Sequence, residues 1–333
     1  MVVAIETKEL TEEQEVRRAP VDLICVIDIS GSMEGEKLAL VRKTLLSLLT
    51  MMGDQDRLCL IQFDNNAEVL VPLKRVGSHN VELMKRMVNS LEARGGTNIA
   101  NGVDLAFQVI RDCEERNPIT SIFLLTDGLD PGAASRVSAC LAGRDLASVN
   151  FSIDCFGFGA DHDEDLMVGI SKLKDGSFYF IDQLDTIDEC FAKALGGLMS
   201  VVAKDVDILV LNSSFKPFEN IKIRRTFGSM WQREGVTSGS KIHLTQLLAG
   251  VEKGFVLELE IPPTLVKVSD TERTHCVLEV ELTAQNNSNT VTVRKSATLK
   301  LHLINEDERL NDIEEDGEVM ENYFRVKSAE AIE

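Results

Sequence analysis

Residues 21–43 read VDLICVIDISGSMEGEKLALVRK, and this stretch decides the fold expected for the first half of the chain. An apolar run ends at Asp28, a turn with Gly31 and two serines follows, and apolar positions then recur every three or four residues. The run is typical of a strand buried on both faces, and the recurrence is typical of an amphipathic helix. The stretch therefore predicts a strand, a polar turn and a helix in succession.

The same alternation of strand and helix patterns continues to about Val202. Three more buried runs, separated by stripes of helical period, are RLCLIQF (57–63), SIFLLTD (121–127) and VNFSIDCFGF (149–158). The segment AEVLVPL (67–73) follows the second strand so closely that a hairpin is expected. This order predicts a doubly wound α/β fold, with a mostly parallel sheet and one antiparallel edge strand.

After residue 202 the pattern changes to that of antiparallel β structure. Strand-length segments with alternating apolar residues are separated by Asn, Gly, Ser or Pro as far as about residue 304. We expect a β-sandwich of about six strands there. The chain then divides into an N-terminal arm (1–19), an α/β domain (20–202), a β-sandwich domain (203–304) and an acidic linker with a C-terminal helix (305–333).

Composition limits the classes of function. The 333 residues contain 54 acids and 35 bases, and the formal net charge of −19 disfavours binding to nucleic acid or to an anionic membrane. The first residues lack the basic region of a signal peptide, and no apolar run is long enough to span a membrane. The seven cysteines include no CxxC pair. These features predict a cytoplasmic protein with buried free thiols.

Oxygen-bearing side chains gather where the predicted parallel strands end. Asp28 and Asp127 each end a strand, and Thr97 follows two glycines at the entry to a helix. If the two strands are neighbours, both carboxylates face one crevice at the edge of the sheet. Together with Ser30 and Ser32 they form a set of hard oxygen donors, which suits Mg²⁺ or Mn²⁺ better than Zn²⁺. The plainer alternative is that these residues end strands and cap helices without holding a metal.

These residues carry a resemblance to a known family. DISGS at 28–32, GGTN around Thr97 and LLTDG around Asp127 resemble the metal-ion-dependent adhesion site of von Willebrand factor A domains. The resemblance covers roughly residues 20–200 and implies a six-stranded, Rossmann-like sheet. The chain also resembles plant and protist proteins in which a RING finger precedes this domain and a β-sandwich follows it. The segments that carry this likeness are GFGADHDEDLM (157–167) and GGLMSVV (196–202).

The resemblance also implies a binding mode. It implies that Ser30, Ser32 and Thr97 bind a Mg²⁺, Mn²⁺ or Ca²⁺ ion, and that Asp28 and Asp127 bind it directly or through water. It further implies that an Asp or Glu of a protein partner supplies another ligand. The chain contains no RING cysteines, so the resemblance does not imply ubiquitin-ligase activity.

Enzymatic alternatives lack the residues they require. Position 30 is Ser where a phosphotransferase of the haloacid-dehalogenase type needs a second Asp, and no lysine stands where stabilisation of a phosphate would require one. GFGADHD lacks the third glycine of a dinucleotide site, the histidines have no zinc spacing, and no GxSxG elbow is present. We therefore predict a non-enzymatic module for binding proteins. Two alternatives stay open: an assembly subunit whose contacts are made by the β-sandwich and terminal helix, and a Mg²⁺-dependent hydrolase.

Overall fold

The computed structural model describes most of the chain, which falls into two compact units. The first contains residues 10–201, and we call it the α/β unit; the second contains residues 1–9 and 202–333, and we call it the β unit. The described residues are 1–9, 18–146, 149–158, 162–181, 187–212, 221–228, 231–233, 239–260, 274–286, 292–302 and 316–332.

Strands and helices alternate in the α/β unit and give way to strands in the β unit. In chain order the strands are β1 (Val2–Glu6), β2 (Val21–Asp28), β3 (Arg57–Phe63), β4 (Ala67–Arg75), β5 (Ile119–Thr126), β6 (Ser152–Phe158), β7 (Phe178–Ile181), β8 (Val201–Asn212), β9 (Lys222–Thr226), β10 (Trp231–Arg233), β11 (Ser240–Leu248), β12 (Glu252–Glu260), β13 (Thr274–Asn286) and β14 (Thr292–His302). The helices are α1 (Glu36–Met51), α2 (Ser78–Asn89), α3 (Ile99–Asp112), α4 (Ala133–Gly143), α5 (Glu164–Ser171), α6 (Ile187–Met199) and α7 (Gly317–Ile332).

The α/β unit is built on a six-stranded sheet with the strand order β4-β3-β2-β5-β6-β7. β4 runs antiparallel to β3, and the other neighbouring strands are parallel. The direction in which strands are added reverses after β4, because the chain returns to the other side of β2 to add β5. The predicted doubly wound, mostly parallel six-stranded sheet with one antiparallel edge strand is therefore confirmed.

Burial explains why the central strands read as continuous apolar runs. Every residue of β2, β5 and β6 is buried, whereas edge strand β4 is buried only at Val71. Helix α3 packs the side chains of Val103 and Phe107 into the same core as Val26 and Phe63 of the sheet. Covering a parallel sheet with helices on both faces requires this pattern, since neither face of a central strand meets water.

The described residues of the β unit form two antiparallel sheets and a C-terminal helix. One has the order β1-β12-β9 and the other has the order β10-β11-β8-β13-β14. Residues of both sheets share one apolar core, in which Val3 and Leu257 meet Ile208, Ile242 and Leu278. The sequence placed residues 1–19 in an arm, but Val2–Glu6 pairs antiparallel with Glu252–Val256 as a strand of the first sheet. Burying Val3 in the shared core accounts for this pairing.

The C-terminal helix expected from the sequence is present as α7. It contacts β12, and the ring of Tyr323 lies edge-on to Phe227 at 5.8 Å between centroids. Arg225 forms an ion pair of 3.0 Å with Glu330 of the same helix. The acidic linker before the helix falls on residues 303–315, outside the described residues. In the described part of the chain, no helix has the length and apolar character needed to cross a bilayer.

Candidate metal centre

The carboxyl ends of β2 and β5 lie side by side in the sheet. The two strands pair in parallel register from Val21 opposite Ile119 to Ile27 opposite Leu125. Asp28 and Thr126 are therefore the last residues of neighbouring strands, and Asp127 is the next residue after β5. The strand order reverses next to this pair, so the structure provides the crevice that a doubly wound sheet offers to ligands.

Asp28 is buried and held at both carboxylate oxygens. Its Oδ1 accepts a hydrogen bond of 2.8 Å from the backbone N–H of Ser30. Its Oδ2 accepts a hydrogen bond from Oγ1 of Thr126, which in turn accepts one of 2.9 Å from the N–H of Gly128. The position of this carboxylate is thus set by the turn after β2 and by the end of β5.

Burial makes the negative charge of Asp28 costly. Removal from water raises the pKa of Asp28 to about 6, against hydrogen bonds from Thr126 and Ser30 that lower it, and the nearby charge of Asp127 raises it further. Two carboxylates brought together in a buried place call for a positive charge between or beside them. A bound cation, or a basic side chain beside the carboxylates, meets that requirement.

A chain of hydrogen bonds links the two acids through the serines. The short turn Gly31–Met33 brings Oγ of Ser30 within 3.1 Å of Oγ of Ser32. Ser32 Oγ then donates a hydrogen bond of 3.0 Å to Oδ1 of Asp127. Ser30 is buried and Ser32 is exposed, so the chain runs from the interior of the crevice to its surface.

The loop that carries Thr97 lies against the serine turn. The N–H of Gly31 donates to the carbonyl oxygen of Gly95 at 3.1 Å, and the N–H of Arg94 donates to the carbonyl oxygen of Ile29 at 2.6 Å. Gly95 has a φ of +71°, which favours glycine at this turn. Thr97 is half-buried in this loop, directly before the N-cap of α3, Asn98. Hydrogen bonds thus join four of the predicted residues, and backbone contacts bring the loop of the fifth beside them.

Two residues of the site were missed by the sequence analysis. Thr126 was read only as part of LLTDG, although its hydroxyl holds Asp28. Lys37 was also missed: its Nζ lies 2.8 Å from Oδ2 of Asp127. A signal for Lys37 exists in the sequence, because a lysine in the first turn of a helix opposes the helix dipole and calls for a partner.

The described residues of GFGADHD, 157–158 and 162–163, lie at the same edge of the sheet. His162 packs against Gly128, and its ring stacks on Phe180 with 4.9 Å between centroids. Asp163 caps α5 by accepting a hydrogen bond of 3.0 Å from the N–H of Leu166. Asp161, the residue before them, lies outside the described residues.

The donor chemistry of the crevice fits a hard cation. Two carboxylates and three hydroxyls offer only oxygen, which Mg²⁺, Mn²⁺ and Ca²⁺ prefer and Zn²⁺ does not. No group of three or more His, Cys, Asp or Glu residues clusters in a metal-binding arrangement within the described ranges.

Comparison with known proteins identifies the family. The family model for the von Willebrand factor type A domain matches residues 22–193, which include the whole crevice. The chain belongs to the von Willebrand factor type A family. Domains of this family commonly mediate protein–protein interactions and often bind a divalent metal at the adhesion site.

Relatives extend the similarity beyond this domain. The chain is 31% identical over 261 residues to the E3 ubiquitin-protein ligase WAV3 of Arabidopsis thaliana, an alignment covering 75% of this chain and 32% of that protein. It is 36% identical over 150 residues to the inter-alpha-trypsin inhibitor heavy chain H4 of Bos taurus, covering 43% of this chain and 16% of that protein. The chain thus spans about a third or less of these relatives.

A solved structure shows the same fold over nearly the whole chain. The von Willebrand factor type A protein from Catenulispora acidiphila has a TM-score of 0.71 and 19% sequence identity, and the match covers 95% of this chain and 73% of that one. At this identity the similarity concerns the fold alone. Both the six-stranded sheet and the additional antiparallel sheets therefore have a counterpart in a known protein.

Proposed function

We propose that this chain is a metal-dependent module for binding proteins, in which the crevice holds a divalent cation that captures an acidic residue of a partner. The hydrogen-bonded path from Asp28 through Ser30 and Ser32 to Asp127 is the observation that carries the proposal. This path brings together residues almost 100 positions apart in the chain.

Each residue has a defined part in the proposed site. The hydroxyls of Ser30, Ser32 and Thr97 would hold the metal, and the carboxylates of Asp28 and Asp127 would supply negative charge directly or through water. When bound, the cation supplies a Lewis-acidic position that accepts a carboxylate oxygen from outside. Mg²⁺ is the favoured ion, with Mn²⁺ or Ca²⁺ as substitutes, since all three prefer oxygen.

Affinity for the partner must come from more than the metal. An exposed carboxylate that binds a metal first has to displace water, so the surrounding surface supplies most of the binding free energy. The acidic chain as a whole repels acidic partners at long range, and salt screens that repulsion beyond about 8–10 Å. The partner we propose therefore presents its Asp or Glu within neutral or basic surroundings.

The proposal assigns a binding role and no catalytic one. Ser32 donates a hydrogen bond to Asp127, which also pairs with Lys37, and we assign neither Ser32 nor Asp127 a part in catalysis. Ubiquitin-ligase activity is named for the plant relative, of which the alignment covers 32%. Our proposal gives this chain only the part that selects a protein. The cytoplasmic location and the exclusion of nucleic acid and membranes stay predictions from the sequence.

Calorimetric titration with Mg²⁺ tests the metal site. Thr97→Ala and Ser32→Ala each remove one hydroxyl from a half-buried or exposed position, so both variants should fold and should bind Mg²⁺ more than about ten-fold less tightly. Thr50→Ala is the matched control, because Thr50 is an exposed threonine near the end of α1. Equal affinities in Thr97→Ala and Thr50→Ala, or a wild-type protein that binds none of Mg²⁺, Mn²⁺ and Ca²⁺, would overturn the proposal.

Capture of a partner tests the binding mode. Affinity purification with the wild-type chain should recover a partner in Mg²⁺, and washing with EDTA should release it. The Thr97→Ala variant should recover it in neither condition. A complex that survives EDTA and depends on the β unit would instead favour the assembly subunit, whose exposed Phe324 on α7 offers an apolar contact.

A further inference from the structure

Lys37 makes a direct contact with the carboxylate of Asp127. Its Nζ lies 2.8 Å from Oδ2, while Ser32 Oγ donates to Oδ1 of the same group. The side chain of Asp127 is 1% exposed and that of Lys37 is 28% exposed. A partly shielded ammonium group therefore faces a buried acid of the proposed metal site.

The position of Lys37 in its helix is electrostatically unfavourable, and the ion pair with Asp127 compensates for it. Lys37 is the second residue of α1, where the backbone N–H groups carry partial positive charge and cations are disfavoured. The preceding residue, Glu36, is the acid that such a helix end prefers. The ion pair with Asp127 is an interaction that offsets the cost at Lys37.

The charges at the crevice also favour a permanent cation. Asp28 and Asp127 are both almost inaccessible to water, and Asp127 disfavours ionisation of Asp28. The single positive charge of Lys37 neutralises one of the two negative charges of these carboxylates. A divalent ion bound by the same carboxylates would be repelled by the ammonium group of Lys37, because that group is in direct contact with Asp127.

We propose that Lys37 is a built-in competitor of the divalent cation, which stabilises the protein at low metal concentration and lowers the affinity of the site for metal. The inference rests on the proposed metal site and specifies how that site is regulated. It has a consequence for the partner: two carboxylates, one lysine and one divalent ion sum to a positive charge, which attracts an acidic residue. Without the lysine, the same set would be neutral.

Replacement of Lys37 by methionine tests the inference, because methionine keeps an unbranched apolar side chain and removes the charge. Lys43→Met is the matched control: it changes the net charge equally, on the exposed side of the same helix. Two quantities are measured for each full-length variant, the Kd for Mg²⁺ by calorimetry and the melting temperature in EDTA and in Mg²⁺.

The expected result is opposite in sign for the two quantities. Lys37→Met should bind Mg²⁺ about ten-fold more tightly than wild type, the effect of a unit charge close to a divalent ion even in a water-like medium. In EDTA its melting temperature should fall by roughly 3–6 °C, because Asp127 loses its cation, and saturating Mg²⁺ should restore it. Lys37→Arg should keep the wild-type Kd, and Lys43→Met should leave the Kd for Mg²⁺ unchanged.

Other results separate this inference from the metal site itself. If wild type binds Mg²⁺ and Lys37→Met binds it equally or more weakly, Lys37 does not compete and the inference fails while the metal site stands. If Lys37→Met binds Mg²⁺ and wild type does not, the competition is stronger than proposed and the inference holds. If neither protein binds Mg²⁺, Mn²⁺ or Ca²⁺, both the inference and the proposed function are overturned.

Discussion

The hydroxyl of Thr126 donates a hydrogen bond to Oδ2 of Asp28 across the parallel pair β2–β5. The two residues are 98 positions apart in the chain, and both are fully buried. Thr126 also accepts a hydrogen bond from the N–H of Gly128, the residue that follows Asp127. One hydroxyl therefore sets the position of the first acid and the course of the loop that carries the second.

Replacing Thr126 by valine keeps the shape of the side chain and removes this hydroxyl. Asp28 loses a donor and Gly128 loses an acceptor inside the core, so we expect the free energy of unfolding to fall by about 1–3 kcal/mol. Urea unfolding in EDTA measures this loss. Thr120→Val, in the same strand, should cost less; equal losses in the two variants would show that the bond to Asp28 is not the reason.

The raised pKa of Asp28 predicts an unusual pH dependence. Burial raises this pKa from 3.8 to about 6, so the folded protein holds the proton more tightly than the unfolded chain. The contribution of Asp28 to stability is therefore greatest below pH 4, falls as the pH rises to about 6 and stays low above it.

Asp28→Asn tests this dependence, because asparagine does not ionise. In EDTA at pH 7.5 the variant should be more stable than wild type by about 1–3 kcal/mol, and the difference should shrink towards pH 4. It should also bind Mg²⁺ poorly, since the site loses a charge. Asp54→Asn, at an exposed position, is the control in chemical unfolding from pH 4 to pH 8. The same pH dependence of the unfolding free energy in the two variants would contradict the prediction.

Helix α3 holds the Thr97 loop in place through close packing at Gly102. A Cβ at Gly102 would lie 2.7 Å from Cδ1 of Phe63 and 2.9 Å from Cγ1 of Val26, both in the sheet. Gly102→Ala should therefore push α3 outward, cost about 1–3 kcal/mol and weaken Mg²⁺ binding at Thr97. Gly143→Ala is the control, because no atom lies within 4 Å of a Cβ there. Calorimetry and urea unfolding that fail to distinguish the two variants would reject this role.

The ion pair between Arg18 and Asp56, at the start of β2, should make the stability of the protein sensitive to acid. Asp56 accepts hydrogen bonds from Arg18 at 2.9 and 2.5 Å, from Val21 N–H at 2.9 Å and from Gly53 N–H at 2.7 Å. Burial opposes its ionisation, but these donors outweigh that effect and lower the pKa of Asp56. Its stabilising contribution is thus present above pH 4 and is lost as the pH falls below the ordinary value.

Asp56→Asn should remove this contribution. We expect a loss of about 2–4 kcal/mol at pH 7, because Arg18 keeps its charge without a partner. The loss should become smaller below pH 4, where wild type also loses the ion pair. Unfolding free energies measured at both pH values check the prediction, and a loss that grows on acidification would contradict it.

The local pattern of residues was sufficient for the α/β sheet and for most of the candidate site. The buried runs ending at Asp28 and Asp127 predicted central parallel strands, which have to be apolar on both faces. Parallel strands bring their carboxyl ends to one edge, so the two acids could be placed in one crevice before the structure was known. The DISGS motif predicted a turn with two serines, because its glycine, Gly31, interrupts the strand pattern.

Long-range partners could not be predicted from those patterns. Lys37 was read as an ordinary residue of an amphipathic helix, because the repeat marks the buried face and says nothing of where an ammonium group points. The segment expected as an arm contributes β1, since its alternation becomes meaningful only beside β12, about 250 positions away. The sequence pattern alone could not show this pairing.

The amino-acid sequence by itself was therefore enough to predict three features. They are the alternating strands and helices, the change to antiparallel structure after residue 202 and the oxygen-rich ends of the strands. Those features arise from interactions between residues a few positions apart, and their periodicity is written in the sequence. The contacts of Lys37 with Asp127 and of Thr126 with Asp28 were established by folding alone. They join side chains 90 and 98 positions apart, and only the packing of the strands and helices brings such groups within hydrogen-bonding distance.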